Sequence, residues 1–155
     1  MNQKSVDLVF KSRSEDQTLA LAAKLAENFV GTELVLITGE LGAGKTVFVK
    51  GLAIGLKVED SDSVCSPSFT LVNVYEGQIT LFHVDLYRLE DPEEIADLGL
   101  EDYFGTGVVA VEWAERLPFR IEGERTVKVV IEVEPDDSRT IRVEAPDIYL
   151  SLENS

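Results

Sequence analysis

Residues 39–46 read Gly-Glu-Leu-Gly-Ala-Gly-Lys-Thr and match the pattern G-x-x-x-x-G-K-[ST] at every fixed position. Before this segment, residues 34–37 form an apolar and partly β-branched run, which predicts a buried parallel strand. After it, residues 47–56 have the pattern of a helix. A strand, a glycine loop and a helix in this order aim backbone N–H groups and a helix N-terminus at one point. This arrangement favours a bound nucleoside triphosphate over a chance glycine-rich turn.

The segment 39–46, called the phosphate loop below, predicts specific contacts. Lys45 is placed to reach the β and γ phosphates, which makes it a candidate catalytic residue as well. Thr46 has the first hydroxyl after it and is placed to ligate a Mg²⁺ ion that bridges those phosphates. The predicted nucleotide contacts here are Gly39, Glu40, Leu41, Gly42, Ala43, Gly44, Lys45, Thr46 and Val47.

The length of 155 residues, 45% of them hydrophobic, suits one globular domain, expected at residues 1–146 with a tail at 147–155. There is no run of about 18 apolar residues and no charged-then-apolar leader, so we expect a cytoplasmic protein without membrane contact. The single cysteine, Cys65, excludes an internal disulfide. With His83 as the single histidine, the sequence also argues against a zinc site of Cys and His.

The formal net charge of −15 bears on the choice of partners. Such a surface repels a nucleic-acid backbone on average, so direct and tight RNA binding by this chain is not expected. The phosphate loop, with its lysine and a bound Mg²⁺, would be a local exception for an anionic nucleotide. The acidic exterior suits either a basic partner protein or simple solvation.

The order of predicted elements indicates the fold class. Strands are predicted at residues 6–10, 34–37, 79–84, 108–111, 126–133 and 139–143, with another that ends at Val74. Helices are predicted to begin after Ser14, after the phosphate loop and after Asp91. This interleaving predicts an α/β, P-loop NTPase-like fold, with a mixed, mostly parallel central sheet flanked by helices and antiparallel C-terminal strands.

Two acidic residues, Asp85 and Glu112, each end an apolar run that predicts a strand. In open α/β sheets, ligands gather at the carboxyl ends of the strands, so both carboxylates would reach the edge where Lys45 and Thr46 lie. Asp85 is a candidate for contact with the metal or a metal-bound water, and Glu112 for a metal ligand or the group that orients the attacking water. The alternative for each is a carboxylate that caps its strand and faces solvent.

Three other features have two interpretations each. The segment 66–70, Ser-Pro-Ser-Phe-Thr, is either a mobile switch near the γ phosphate or a turn that leads into a strand. His83 lies two residues before Asp85, so both would point to the same face of a strand. A buried, hydrogen-bonded histidine is favoured there over a catalytic base. Trp113 is either a core residue or a lid over the ligand.

Four motifs, in their order and spacing, resemble those of the bacterial TsaE family. They are the phosphate loop, Ser66-Pro67-Ser68-Phe69-Thr70-Leu71-Val72, His83-Val84-Asp85-Leu86-Tyr87-Arg88 and Val111-Glu112-Trp113-Ala114-Glu115. The first is generic, whereas the His-x-Asp-Leu-Tyr-Arg and Glu-Trp elements are much more specific. The family more often has Ser-Pro-Thr where this chain has Ser66-Pro67-Ser68, and a hydroxyl is retained. The resemblance extends from the N-terminal strand to about Leu117.

This resemblance implies an ATPase that assists the synthesis of N6-threonylcarbamoyladenosine beside the anticodon of tRNAs that read codons beginning with A. It implies ATP and Mg²⁺ as cofactors, and TsaD, the transferase, and TsaB as partners, with tRNA contacted mainly through that complex. The residues carried over are Lys45 and Thr46 for phosphates and Mg²⁺, Asp85 and Glu112 as catalytic or metal-linked acids, Thr70 in a switch and Trp113 beside the nucleotide.

Alternative functions remain open at the level of the sequence. A small-molecule kinase shares the glycine loop, but it usually needs an arginine-bearing lid, and Arg88, Arg116 and Arg120 are scattered. A GTPase would normally have an Asn-Lys-x-Asp element, which this sequence lacks. A nucleotide sensor that does not hydrolyse its ligand is also compatible with the motifs. Because no arginine finger is evident near them, we expect low intrinsic ATP hydrolysis.

Overall fold

The computed structural model describes residues 5–67, 70–119 and 125–150. The α-helices and strands are β1 (Ser5–Ser12), α1 (Glu15–Ala26), β2 (Leu34–Gly39), α2 (Lys45–Gly55), β3 (Val72–Tyr75), β4 (Leu81–Asp85), α3 (Pro92–Ala96), β5 (Val108–Glu112), β6 (Thr126–Val133) and β7 (Arg139–Pro146). Short 3-10 helices lie at Ser61–Ser63, Leu100–Asp102, Ala114–Arg116 and Asp147–Tyr149. Within these described ranges, every helix is too short or too polar to span a bilayer.

The strands form one seven-stranded sheet in the order β1-β7-β6-β2-β5-β4-β3. Its centre is parallel, because β2 pairs in parallel with both β5 and β6, and β5 pairs in parallel with β4. The pairs β1–β7, β6–β7 and β3–β4 are antiparallel. The predicted α/β fold, with a mixed sheet and an antiparallel C-terminal hairpin, is therefore confirmed.

The central strands are covered on both faces, which explains their continuous apolar sequences. Every residue of β5 is buried. Val108 and Ala110 pack in the core beneath α1 and α2, whereas Val109 and Val111 pack in a second core with Ile95 of α3. Since successive side chains of a strand alternate between faces, Glu112 points to the same side as Ala110, towards α2. This alternation places the acid at the end of β5 beside the phosphate loop.

The helices α1 and α2 pack closely because two glycines of α2 face α1. A Cβ added at Gly51 would lie 2.6 Å from the Cβ of Ala22, and one added at Gly55 would lie 2.3 Å from the carbonyl oxygen of Ala23. The start of α1 is fixed by Ser14, whose side chain accepts a 3.1 Å hydrogen bond from the Gln17 N–H, as its sequence pattern predicts. The absence of side chains at Gly51 and Gly55 therefore lets the backbones of α2 and α1 approach closely.

Of the tail that the sequence predicts at 147–155, the structure describes residues 147–150. β7 continues to Pro146, and Asp147–Tyr149 form a 3-10 helix in which Tyr149 is fully buried. The Tyr149 hydroxyl donates a 2.8 Å hydrogen bond to the buried carboxylate of Glu33, and its ring contacts Phe29 edge to face. Burial, and then the Glu33 carboxylate, raise the pKa of Tyr149 to about 12. A lone aromatic beyond a proline gives no periodic signal, so this packing was not predictable.

Candidate functional site

The phosphate loop joins the end of β2 to the start of α2. Gly42 and Gly44 have φ values of 81° and 105°, in the left-handed region that favours glycine. A Cβ at either position would meet nothing within 4 Å among the described atoms, so the backbone conformation and not crowding requires glycine there. Gly44 is the N-cap of α2 and has no side chain to accept from the first-turn N–H groups. Those N–H groups can therefore bind an anion.

Lys45 lies folded against its own loop. Its ammonium group donates 2.7 Å hydrogen bonds to the carbonyl oxygens of Gly39 and Glu40, and it lies 4.2 Å from the centre of the Trp113 ring. Burial lowers the pKa of Lys45 below its usual range, although nearby carboxylates, Glu112 foremost, act in the opposite direction. A phosphate in the loop would supply the negative charge that this buried ammonium lacks at close range.

Glu112 links the phosphate loop to the neighbouring strands. It pairs in register with Ile37 of β2, which places it at the carboxyl end of the sheet. Its two carboxylate oxygens accept hydrogen bonds from the Thr46 hydroxyl at 3.1 and 2.9 Å, and the side chain is buried. The second of these oxygens also lies 2.5 Å from Nε2 of His83. Glu112 is therefore within the loop's immediate surroundings and does not face solvent.

Asp85 lies opposite Glu112 in the register of β4 and β5, so both acids reach the same edge of the sheet. One Asp85 carboxylate oxygen accepts a hydrogen bond from the Ser66 hydroxyl, and the other accepts one from the Tyr87 N–H at 2.9 Å. The structure thus brings Asp85 to the site and connects it with the segment 66–70. Within that segment, residues 68 and 69 lie outside the described ranges.

The predicted residues surround one cavity of about 520 Å³. Its lining includes Leu41, Gly42, Ala43, Gly44, Lys45, Thr46, Val47, Asp85, Glu112 and Trp113 from the predicted set. Gly39 and Glu40 lie behind it, where they hold the Lys45 ammonium. Thr70 does not line the cavity, and its hydroxyl donates to the Asn73 side chain at 2.9 Å.

Trp113 borders the cavity in an unusual backbone conformation, with a φ of 60°. Its ring packs at 5.1 Å from that of Tyr87, and the Arg116 guanidinium lies 5.1 Å from the Trp113 ring centre. Arg116 also donates to the carbonyl oxygen of Tyr87. The side chain of Trp113 therefore forms a partly exposed wall between Lys45 and the segment after β4.

The oxygen atoms at this site fit a magnesium ion. Thr46, Glu112 and Asp85 present a hydroxyl and two carboxylates, the oxygen ligands that Mg²⁺ prefers. Across residues 5–67, 70–119 and 125–150, no cluster of three or more His, Cys, Asp or Glu side chains is placed to hold a metal alone. This composition suits an ion that completes its coordination with phosphate oxygens and water.

Residues 12–141 match the family model described as threonylcarbamoyl adenosine biosynthesis protein TsaE. The chain belongs to the TsaE family. It is 40% identical over 133 residues to the tRNA threonylcarbamoyladenosine biosynthesis protein TsaE of Treponema pallidum, with 85% of this chain and 96% of that protein covered. It is also 40% identical over 136 residues to the protein of the same name from Bacillus subtilis, with 86% of this chain and 83% of that protein covered. The resemblance inferred from the four motifs is confirmed.

A crystal structure of Bacillus subtilis YdiB superposes on this TsaE-family chain with a TM-score of 0.69 and 33% sequence identity. The superposition covers 99% of this chain and 95% of that chain. The family takes part in tRNA threonylcarbamoyladenosine biosynthesis, as its description states. Its P-loop fold implies nucleotide binding.

One cavity residue of this TsaE-family chain was missed from the sequence. Arg139, the first residue of β7, donates from Nε to the Ala43 carbonyl oxygen at 2.9 Å and from Nη2 to that of Gly42 at 3.3 Å. It therefore braces the phosphate loop from the β6–β7 hairpin. The sequence shows Arg139 only as the start of a strand, because its contact depends on β6 lying beside β2. No local motif could have indicated it.

The part of the cavity lining that comes from the end of β1 and the start of α1 was also not predicted. It includes Ser12, Arg13, Glu15 and Thr18. The hydroxyls of Ser12 and Thr18 lie 2.7 Å apart and are buried. These residues give this side of the cavity a polar lining.

Proposed function

We propose that this TsaE-family protein binds and hydrolyses ATP with Mg²⁺, and that hydrolysis supports threonylcarbamoyladenosine modification of tRNA by a complex of TsaD and TsaB. The observation that most supports ATP hydrolysis is the convergence of Lys45, Thr46 and Glu112 at the phosphate loop. This arrangement pairs the loop threonine with a carboxylate, as a site for a metal-bound nucleotide requires.

In this proposal, the side chains act mainly by positioning charge. The loop N–H groups and Lys45 hold the β and γ phosphates, while Thr46 and Glu112 hold the metal or its bound water. Bound Mg²⁺ would neutralise charge that develops on the phosphate oxygens during hydrolysis. Asp85, held by Ser66 and the Tyr87 N–H, is placed to orient a water molecule or to contact the metal. Trp113 and Thr70 remain proposed members of the nucleotide site and of a switch.

The base and sugar would lie against the wall formed by Ser12, Glu15 and Thr18, with Arg139 between that wall and the loop. A cavity of about 520 Å³ is of the size that ligands of nucleotide size occupy. The preference for adenine is part of the proposal and comes from the family.

The proposed partners fit the charge of the chain. A net charge of −15 disfavours direct binding of tRNA, so the protein would meet tRNA mainly through the TsaD and TsaB proteins. A cytoplasmic location, where tRNA is modified, is part of the same proposal. In this view the protein is not itself the transferase.

The test is Mg²⁺-dependent ATP hydrolysis by the protein alone and with TsaB, TsaD and tRNA, with tRNA modification measured in parallel. Wild-type hydrolysis should be slow alone and rise with the partners. Lys45→Ala and Glu112→Ala should each lower it by a factor of about 100 or more. The first removes a positive charge from the phosphates, and the second removes a group that holds the metal or its bound water. Lys50→Ala, on the same helix but paired with Asp62 at 3.7 Å, is the matched control and should behave as wild type.

Nucleotide binding without hydrolysis, under all these conditions, would contradict the proposal and favour a nucleotide sensor. Phosphate transfer to an added small molecule would favour a kinase. If the partners do not change the rate of hydrolysis and Lys45→Ala does not affect tRNA modification, the proposed coupling to tRNA modification would be contradicted. The proposal that the protein is an ATPase would still stand.

A further inference from the structure

His83 is a fully buried polar residue in the middle of an otherwise apolar strand, and the reaction proposed above does not use it. Its Nε2 lies 2.5 Å from an oxygen of Glu112. Glu112 also accepts from the Thr46 hydroxyl, so it acts as an acceptor towards both neighbours, and the His83 Nε2 carries the proton. The other ring nitrogen, Nδ1, has no hydrogen-bond partner within the described residues.

The sheet explains how these side chains meet. Side chains of a strand alternate between its two faces, so Leu81, His83 and Asp85 all lie on the face of β4 that is turned towards α2. His83 is paired in register with Ala110, which lies two residues before Glu112 in β5. His83 therefore lies diagonally beneath Glu112, on the side away from the cavity. It does not line the cavity, so it cannot touch the nucleotide and can act only through Glu112.

The unpartnered Nδ1 shows that apolar packing alone does not account for this residue. Burying a polar atom without a hydrogen bond lowers stability, and an apolar side chain of similar size would avoid that loss. Among the described residues, the contact with Glu112 is the one polar interaction that the ring makes. A role in holding that carboxylate explains why a polar ring occupies the position.

We propose that His83 is a positioning residue that holds Glu112 in the orientation needed by the metal-nucleotide complex. The proposal rests on the proposed function, because it assigns Glu112 to the metal or its water. Two neighbours compete for the Glu112 carboxylate. The Thr46 hydroxyl donates a hydrogen bond to it, and the Lys45 ammonium attracts it by its charge. Of the carboxylates near Lys45, Glu112 has the largest electrostatic effect on that lysine. The Nε2–H of His83 holds one oxygen from below, which keeps the carboxylate beside Thr46 and away from Lys45.

Two substitutions separate this role from simple packing. Glutamine can place its amide nitrogen near the position of Nε2, whereas the shorter asparagine reaches only the region of Nδ1. His83→Gln should therefore keep the donor to Glu112, and His83→Asn should lose it, although both replace the ring with an amide.

The readout is the fluorescence of Trp113, the single tryptophan of the chain, whose ring lies 4.2 Å from the Lys45 ammonium. A non-hydrolysable ATP analogue is titrated in EDTA, and Mg²⁺ is then titrated at saturating analogue. His83→Asn should raise the Mg²⁺ concentration at half-saturation by about 10-fold, as loss of a ligand-orienting partner typically does. Affinity for the analogue in EDTA should stay within about 2-fold of wild type, and His83→Gln should remain near wild type in both titrations.

Coupling to Glu112 gives a second criterion. In a Glu112→Gln background, His83→Asn should have no further effect on the Mg²⁺ titration, because the partner carboxylate is already gone. An equal additional loss in that background would overturn the proposal. So would a loss of analogue affinity in EDTA as large as the loss with Mg²⁺, or Mg²⁺ titrations that are unchanged in His83→Asn.

A measurement on the unaltered protein covers the case in which His83→Asn does not fold. His83 is the single histidine, so its ring ¹⁵N signals are unambiguous in NMR spectra of the full chain. They should shift when Mg²⁺ is added to the analogue complex, and an unchanged spectrum would contradict the proposal. Failure of wild type to bind nucleotide would overturn the proposed function together with this inference. A His83 effect on Mg²⁺ binding without any hydrolysis would overturn the ATPase proposal alone.

Discussion

Lys45 shows, at the scale of one residue, that the site holds a positive charge in place before any ligand binds. Its ammonium is bonded to two carbonyl oxygens of its own loop and is largely buried. Carbonyl dipoles compensate a charge less well than an anion does, and burial accordingly lowers the pKa of Lys45. A phosphate group would reverse that shift.

Nucleotide binding should therefore take up protons at alkaline pH. The pKa of Lys45 is lowered in the free protein and raised by the phosphates, so the complex binds more protons than the free protein between the two pKa values. Affinity should fall as pH rises through that window. Isothermal titration calorimetry in two buffers of different ionisation enthalpy measures the uptake. Lys45→Ala should abolish it, and Lys50→Ala should leave it unchanged.

The contacts of α2 with α1 matter at the scale of elements. Gly55→Ala should destabilise the protein by about 1–3 kcal/mol through overpacking, even though alanine is the better helix former by about 1 kcal/mol. The added Cβ would lie 2.3 Å from the Ala23 carbonyl oxygen, an atom of the α1 backbone that cannot move aside easily. Urea unfolding measures the change. Lys50→Ala, at the surface of the same helix, is the control, and a stabilised Gly55→Ala variant would show that the helices separate readily.

Elements that are specified by residues consecutive in the chain could be predicted from the sequence. The phosphate loop is such a case, since its strand, glycines and helix are consecutive, and so is the N-cap of α1 at Ser14. Asp85 and Glu112 were placed at one edge because two apolar runs end in acids, and the parallel pairing of β4 with β5 confirms that edge. Periodicity does not specify strand order, however. Arg139 reaches the loop only because β6 and β7 follow β2 in the sheet.

The same limit explains the contact between His83 and Glu112. The sequence favours a buried, hydrogen-bonded histidine, and its burial and bond are observed. Its partner could not be named, because 29 residues separate the two side chains and only the register of β4 against β5 brings them together. The packing of Tyr149 on Glu33 is a contact of still longer range, across 116 residues.

At the scale of the whole molecule, that last contact ties the end of the described chain to the turn before β2. Glu33 is buried and accepts from the N–H groups of Val30, Gly31 and Thr32 as well as from the Tyr149 hydroxyl. Tyr149→Phe should lower the free energy of unfolding by about 1–3 kcal/mol, because a buried charged acceptor loses one donor.

The pH dependence of stability gives a second readout of the same substitution. The pKa of Tyr149 is raised to about 12 in the folded protein, from an ordinary value near 10. The stability contributed by the neutral phenol is complete below that ordinary value and is lost as pH rises towards the folded pKa. Between these two values, wild type should lose more stability than Tyr149→Phe. Tyr87→Phe, which alters an exposed tyrosine, should retain the wild-type slope.

The position of β2 in the sheet also sets when the nucleotide site can exist during synthesis. β2 is flanked by β5 and β6, and its loop is braced by Arg139, so each support is encoded long after the phosphate loop itself. A nascent chain that has emerged only as far as α2 has the complete glycine motif but no neighbouring strand on either side of it. The strands and the arginine that support the phosphate loop are therefore all present only after the ribosome has synthesised the β6–β7 hairpin.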